Sequence, residues 1–239
     1  MIAGGKAADK ICLALDFSGA EEAVAFARRF EGKSGWFKVG LELFVGEGPS
    51  IVGKIARFGK VFLDLKLHDI PNTVAHASAA AARSGAAMVN VHASGGREMM
   101  VAAREAVAAE ASRTEISAPA VVAVTLLTSL DEASLAGLPF RGLPIEIVAQ
   151  LARLAAESGL DGVVCSAGDL ETIRRECGSK FLTVVPGIRP ASAQAGDQKR
   201  IATPSAAIAA GASLLVIGRP VTQAADPEKA LEAIAREIE

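Results

Sequence analysis

The residues best suited to chemistry in this chain are three charged side chains that follow an apolar segment. Residues 61–73 read VFLDLKLHDIPNT, apolar up to Asp64 and then carrying Lys66 and Asp69 within a few positions. Residues two apart on a strand project to the same side, so Asp64 and Lys66 are predicted to share a face. Burying a carboxylate and an ammonium is costly in desolvation. The pair therefore indicates a functional site.

The rest of the chain alternates apolar runs with helical periodicity. Eight runs read as strands: 10–16, 36–43, 61–66, 88–92, 120–127, 162–166, 181–185 and 214–218. Helical patterns are clearest at 20–30, 50–57, 72–84, 97–111 and 145–158. Continuous Val, Ile and Leu runs are typical of parallel strands covered on both faces. We predict one catalytic domain over residues 1–239, an α/β fold of the (β/α)8 TIM-barrel type, with a doubly wound open sheet as the alternative.

The composition favours a small-molecule partner. The formal net charge is -2, without a basic tract or a one-sided charge run, which argues against nucleic-acid and membrane partners. Charges such as Arg83 and Arg104 interrupt the Ala-rich stretches, so no apolar run is long enough to cross a bilayer. Residues 1–10 carry Lys6, Asp9 and Lys10 and lack the apolar core of a signal peptide. A cytoplasmic location is expected.

The unusual polar residues collect at one end of the predicted strands. These residues lie within or just past the carboxyl-terminal halves of their strands: Asp16, Lys38, Asp64, Lys66, His92, Thr128 and Arg219. Barrel enzymes place their active sites at this end, so these side chains are predicted to be neighbours. A single charged strand residue could belong to a structural ion pair, but seven on one rim indicate a site.

Two segments suggest phosphate binding. The seventh strand is followed by PGIRP, residues 186–190, and the eighth by Gly218 and Arg219. Loops after strands seven and eight commonly form the phosphate site of a barrel, where glycine allows close approach and arginine can bind in bidentate fashion. Residues 191–200 are polar, lack helical periodicity and are long for a connection, which predicts a lid.

Seven segments together resemble the orotidine 5'-phosphate decarboxylase family over nearly the whole chain. They are DLKLHDIPNTV, LALD at Asp16, FKVGLELF at Lys38, TLLTS at Thr128, PGIRP at 186–190, GDQKRIATP at Gln198 and VIGRPVT at Arg219. The resemblance implies conversion of orotidine 5'-phosphate to UMP and CO2, the last step of de novo UMP synthesis. It implies a free-standing enzyme of the bacterial type.

The resemblance also implies the catalytic roles. Lys66 would stand beside the developing carbanion and protonate C6, and Asp64 would face the substrate carboxylate. Lys38 and Asp69 would complete a Lys-Asp-Lys-Asp array. In this family Asp69, Ile70 and Thr73 would reach into the partner subunit's site, which implies a homodimer. No cofactor motif and no metal-ligand spacing is present, so neither a cofactor nor a metal is expected.

The implied binding roles use both ends of the site. Asp16 and Lys38 would hold ribose hydroxyls, and Thr128 would contact the pyrimidine. Gln198 would bridge base and phosphate from the lid. The phosphate would be held by residues of the last two loops: Pro186, Arg189, Gly218 and Arg219.

Two alternatives stay open at this point. Related 3-keto-L-gulonate 6-phosphate decarboxylases and hexulose phosphate synthases share the DxKxxD strand but use Mg²⁺. Both of these relatives have an acidic, metal-associated residue at the position where this chain has Lys38. A lysine at this position would repel a metal cation. The second alternative is a non-catalytic barrel that senses a nucleotide. Retention of Asp64 and Lys66 argues against it.

Overall fold

Eight parallel strands close into a barrel in the computed structural model, which describes residues 7–190 and 202–239. The strands follow one another around the barrel in chain order, and the first pairs with the last. They are β1 (Ile11–Ala14), β2 (Trp36–Gly40), β3 (Lys60–Leu67), β4 (Met88–His92), β5 (Ala120–Val124), β6 (Gly162–Val164), β7 (Leu182–Val185) and β8 (Leu214–Ile217). The predicted TIM barrel is confirmed, and the open sheet is wrong.

Helices connect the strands on the outside of the barrel. Those in the described residues are α1 (Ala20–Arg29), α2 (Leu41–Glu47), α3 (Ser50–Ile55), α4 (Pro71–Arg83), α5 (Gly96–Thr114), α6 (Glu132–Leu135), α7 (Pro144–Glu157), α8 (Leu170–Cys177), α9 (Pro204–Ala209), α10 (Arg219–Thr222) and α11 (Pro227–Ile238). Pro71 occupies the first position of α4, where its fixed φ and missing N–H are tolerated. None of the helices in this part of the chain has the length and apolarity needed to span a membrane.

Two apolar clusters explain the uniform hydrophobicity of the strands. One cluster packs between the barrel and the helices, with side chains such as Phe37 and Leu63. The other fills the barrel interior with residues that are mostly small or β-branched: Cys12, Ala14, Phe62, Met88, Val122, Val124, Val164, Val184, Leu214 and Val216. Each strand is therefore buried on both faces, so its sequence does not alternate between apolar and polar.

Six strands are shorter than predicted: β1, β2 and β5 by three residues each, and β6, β7 and β8 by one or two. β2 ends at Gly40 instead of continuing to residue 43, and Leu41 begins helix α2, so Glu42 lies on a helix. Apolar residues continue in the sequence past Gly40, but the pairing of β2 with β1 already ends at Lys38. Similarly, β5 ends at Val124 because its ladder with β4 ends at His92. Closure of the barrel, not local propensity, limits β2 and β5.

Candidate active site

A cavity of about 360 Å³ opens at the carboxyl ends of the strands. Its charged lining consists of four cations and two carboxylates from the loops and strand ends: Asp16, Lys38, Asp64, Lys66, Arg189 and Arg219. Apolar side chains form the floor and one wall: Ala14, Phe62, Val124, Leu126, Val164 and Val216. Thr128, Pro186 and Gly218 also line it. The volume suits a small molecule, and the excess of cations suits an anion.

Strand alternation explains why these charges face inward. Ala14 belongs to the interior cluster, and Asp16 follows it two residues later. Lys38 likewise follows Trp36, and Asp64 follows Phe62, by two residues, so each charged side chain shares a face with an apolar interior residue and lies nearer the carboxyl end of its strand. Small interior residues leave the space that the charged side chains occupy.

Four of the predicted site residues form a continuous row of alternating charge. Lys66 Nζ donates to Asp64 Oδ1 at 2.7 Å, and Lys38 Nζ lies 3.5 Å from Asp64 Oδ2. Lys38 Nζ also donates to Asp16 Oδ1 at 2.9 Å. The side chains of Lys38 and Asp64 are only 12% and 11% exposed, whereas that of Asp16 is 60% exposed. The array is therefore shielded at its centre and open to solvent at Asp16.

The two central groups hold each other in their charged forms. Burial opposes ionisation of Asp64, but the ammonium groups of Lys38 and Lys66, with hydrogen bonds from Lys66 and Asn90, keep the pKa of this carboxyl below its usual value. Burial likewise disfavours charge on Lys38, yet Asp64 and Asp16 raise the pKa of this lysine above its usual value. Both side chains therefore carry full charges at neutral pH.

Two contributing residues were missed from the sequence. Asn90 is buried on β4, donates to Asp64 and accepts a hydrogen bond from the Lys66 backbone. The sequence signal that could have identified Asn90 is its amide side chain inside the otherwise apolar segment MVNVH. Gly40 was the second, because a Cβ there would lie 2.8 Å from Lys38 Nζ and would displace this ammonium. Gly40 lies inside the predicted strand 36–43, and nothing in the sequence marks it as a neighbour of Lys38 Nζ.

The two arginines come together at the other side of the cavity. Arg189 is 8% exposed, and its Nη1 donates to the Ile188 carbonyl at 3.0 Å. Burial and the nearby positive charge of Arg219 lower the pKa of Arg189 from its ordinary value. Two guanidinium groups that repel each other in a partly desolvated place form a site that an anion would stabilise.

The remaining predicted site residues lie outside this cavity or outside the described residues. Asp69, Ile70 and Thr73 are exposed on the rim, and Asp69 Oδ1 accepts a hydrogen bond from the Ile70 N–H at 2.7 Å. They are not among the residues that line the cavity of this single chain. Gln198 and the predicted lid, residues 191–200, fall outside the described residues.

Two histidines and one cysteine lie near the charge array. The rings of His68 and His92 lie 5.4 Å apart between centroids, and burial, followed by the charges of His68 and Lys66, lowers the pKa of His92. Cys12 lies below the array as a free thiol, and burial raises its pKa, so it stays neutral. Within residues 7–190 and 202–239, no three His, Cys, Asp or Glu side chains group as a metal site.

Fold and site together define a TIM-barrel enzyme with an alternating charge array at the carboxyl ends of its strands. A family model described as "Orotidine 5'-phosphate decarboxylase / HUMPS family" matches residues 9–234. The chain belongs to this family.

Individual relatives agree with the family match. A protein of Halorhodospira halophila named orotidine 5'-phosphate decarboxylase is 53% identical over 230 residues, covering 96% of this chain and 95% of its own. One of Chromobacterium violaceum with the same name is 51% identical over 229 residues, covering 95% and 91%. The crystal structure of orotidine 5'-phosphate decarboxylase from Lactobacillus acidophilus matches with a TM-score of 0.84 and 36% identity, covering 97% and 99%.

Proposed function

We propose that this protein converts orotidine 5'-phosphate to UMP and CO2, the last step of de novo pyrimidine biosynthesis, with fixed charges and without a cofactor. The observation that carries the proposal is the buried array of Lys66, Asp64 and Lys38 inside the cavity of a member of this family. A cytoplasmic location, as the composition predicts, is part of this proposal.

The chemistry requires a cation beside the reacting carbon. Loss of CO2 from C6 leaves a carbanion in the plane of the pyrimidine, where the ring π system cannot delocalise it. Many decarboxylases use a cofactor as an electron sink. Here the Lys66 ammonium takes this role by electrostatic stabilisation and then donates its proton to C6. Because Lys66 is 30% exposed at the cavity wall, its ammonium can meet substrate.

Asp64 acts on the ground state in this proposal. Its carboxylate is held ionised between Lys38 and Lys66, so it would repel a substrate carboxylate placed beside it. The repulsion falls as the charge leaves with CO2, which favours the transition state over the bound substrate. Asp64 also keeps Lys66 Nζ fixed at 2.7 Å, so the proton donor is positioned before substrate arrives.

The rest of the cavity would bind the parts of the nucleotide that do not react. Arg189, Arg219 and the backbone of Gly218, next to Pro186, would hold the phosphate. Asp16 and Lys38 would contact ribose hydroxyls, while Thr128 would contact the base above the apolar wall. Gln198 would bridge base and phosphate. Binding energy from this remote phosphate can then order the charged array around C6.

A direct assay separates this function from its Mg²⁺-dependent relatives. We expect purified protein in excess EDTA to convert orotidine 5'-phosphate to UMP. The loss of the substrate's ultraviolet absorbance reports this conversion. The Lys38 ammonium occupies the place beside Asp64 and would repel a divalent cation. Absence of conversion, together with activity on a keto sugar phosphate once Mg²⁺ is restored, would contradict the proposal.

The active form is proposed to be a homodimer in which Asp69, Ile70 and Thr73 complete the other subunit's site. Support comes from the exposure of apolar side chains on α2 and beside α4: Ile70 is 66% exposed, Leu41 52% and Val45 78%. Such side chains are suited to burial in an interface. Asp69 would then be the fourth member of the charge array, supplied from across the interface.

Mixing two inactive variants tests this arrangement. Lys66→Ala and Asp69→Ala homodimers are each expected to be inactive, but their heterodimer holds one site with both residues intact. After random subunit exchange of equal amounts, we expect about a quarter of wild-type activity, since half of the dimers are mixed and each has one intact site. If activity did not recover although subunit exchange was confirmed, Asp69 would be shown to act within its own chain.

A further inference from the structure

Asn90 lies in the barrel interior, in the middle of β4. It is 1% exposed and stands two residues from both Met88 and His92 on the same strand face. Apolar side chains occupy most of the interior around it. A buried amide in such a place needs hydrogen-bond partners for both its donor and its acceptor.

Both partners of Asn90 belong to the charged segment of the neighbouring strand. Its Oδ1 accepts a hydrogen bond from the Lys66 backbone N–H at 2.8 Å. Its Nδ2 donates to Asp64 Oδ1 at 2.7 Å. The orientation of the amide follows from chemistry, because a backbone N–H only donates and an ionised carboxylate only accepts.

The contact with Lys66 replaces a missing backbone pair. Between β3 and β4 the register shifts, so that Leu63 faces Val89 but Leu67 faces Val91. This bulge places Lys66 at a φ of 53°, a left-handed conformation that a side chain with a Cβ rarely adopts. The Lys66 N–H would lack its ladder acceptor there, and the Asn90 side chain supplies one.

The second contact fixes one oxygen of Asp64. Oδ1 receives hydrogen bonds from Lys66 Nζ and Asn90 Nδ2, while Oδ2 faces Lys38. A carboxamide joins a donor and an acceptor in one rigid plane, so Asn90 links the backbone of Lys66 to the carboxylate that holds its ammonium. Neither contact involves the arginines or the apolar wall of the cavity.

We propose that Asn90 is a positioning residue, which holds Lys66 in its left-handed backbone conformation and orients the Asp64 carboxylate toward the Lys66 ammonium. The inference rests on the proposed decarboxylation for its effect on turnover. Misplacement of a catalytic group by about 1 Å can lower turnover by about 10²-fold. Because the phosphate and base contacts are separate, loss of Asn90 should lower kcat with little effect on nucleotide binding.

The test compares Asn90→Ala and Asn90→Asp with a matched control, Ser34→Ala. Ser34 is also buried, at 2% exposure, and its hydroxyl lies within hydrogen-bond distance of two carbonyls, those of Ile11 and Trp36, at the opposite end of the barrel. The measurements are kcat for orotidine 5'-phosphate, the Kd of UMP, and hydrogen exchange of the Lys66 amide by NMR. The exchange measurement does not depend on activity.

For Asn90→Ala we expect kcat to fall about 10²-fold, UMP binding to change less than about threefold, and the Lys66 amide to exchange faster. Asn90→Asp keeps the acceptor, so the Lys66 amide should stay protected while kcat still falls, because a carboxylate replaces the donor to Asp64. Ser34→Ala should retain wild-type kcat and Lys66 exchange.

Several results would overturn the inference. They are more than half of wild-type kcat in Asn90→Ala, an unchanged Lys66 exchange rate in that variant, or wild-type kcat in Asn90→Asp. If Asn90→Ala does not fold, the kcat of Asn90→Asp decides the question. Failure of the proposed function is distinguishable, because the wild-type protein would then be inactive on orotidine 5'-phosphate while the exchange comparison still reports on Lys66.

Discussion

Replacing Lys66 with alanine is expected to lower turnover of orotidine 5'-phosphate by at least about 10³-fold while leaving UMP binding largely intact. In the proposed mechanism, this variant loses both the cation that stabilises the carbanion and the acid that protonates C6. The guanidinium groups of Arg189 and Arg219, which are proposed to hold the phosphate, remain in the cavity. Steady-state kinetics and calorimetric titration with UMP provide the two measurements.

Lys60→Ala is the matched control, since Lys60 is an exposed lysine at the opposite end of the same strand. Its ammonium lies 5.3 Å from the centre of the Trp36 ring and does not line the cavity. This variant should keep wild-type kcat. Substantial residual turnover in Lys66→Ala would exclude Lys66 as the proton donor. A loss of UMP affinity as large as the loss of turnover would indicate a role in binding instead.

Arg219→Ala should lower kcat/KM far more for phosphorylated substrates than for their phosphate-free counterparts. Each hydrogen bond to a charged group contributes about 1.5–3 kcal/mol, so loss of a bidentate contact predicts a fall of about 10²-fold or more in kcat/KM for orotidine 5'-phosphate. The kcat/KM for orotidine should be almost unchanged, since orotidine has no phosphate that this arginine could bind. The quantity to measure is the ratio of the two kcat/KM values.

Arg175→Ala removes the same charge from α8, where Arg175 pairs with Glu176 at the surface. It should leave both substrates unaffected, which separates the local contact from the change in net charge. If Arg219→Ala reduced kcat/KM equally for orotidine and its phosphate, the assignment of Arg219 to the phosphate would be wrong.

The charge array has a consequence for stability as well as for catalysis. Asp64 and Lys38 are almost fully buried, and bringing such groups out of water opposes folding even when they are paired. Apolar residues of similar volume could pack in the same interior without this penalty. Retention of the charges is understandable if their preorganisation is what the reaction requires.

Much of the architecture was predictable from the sequence by itself. Eight apolar runs separated by helical patterns indicate parallel strands covered on both faces, and this arrangement depends on burial alone. Charges at the ends of those runs indicate a site, because the carboxyl ends of barrel strands meet at one rim. Asp64, Lys66 and Lys38 were found in this way, and the family was recognised from its motifs.

Other features were decided only by the tertiary structure. The end of β2 at Gly40, the bulge that turns Lys66 to a positive φ, and the two contacts of Asn90 all depend on which residue stands opposite on the next strand. Strand register is set by closure of the whole barrel, and local sequence does not encode it. The sequence by itself determined which residues carry the charge, and the closed barrel determined which backbone conformations and hydrogen bonds hold those charges in place.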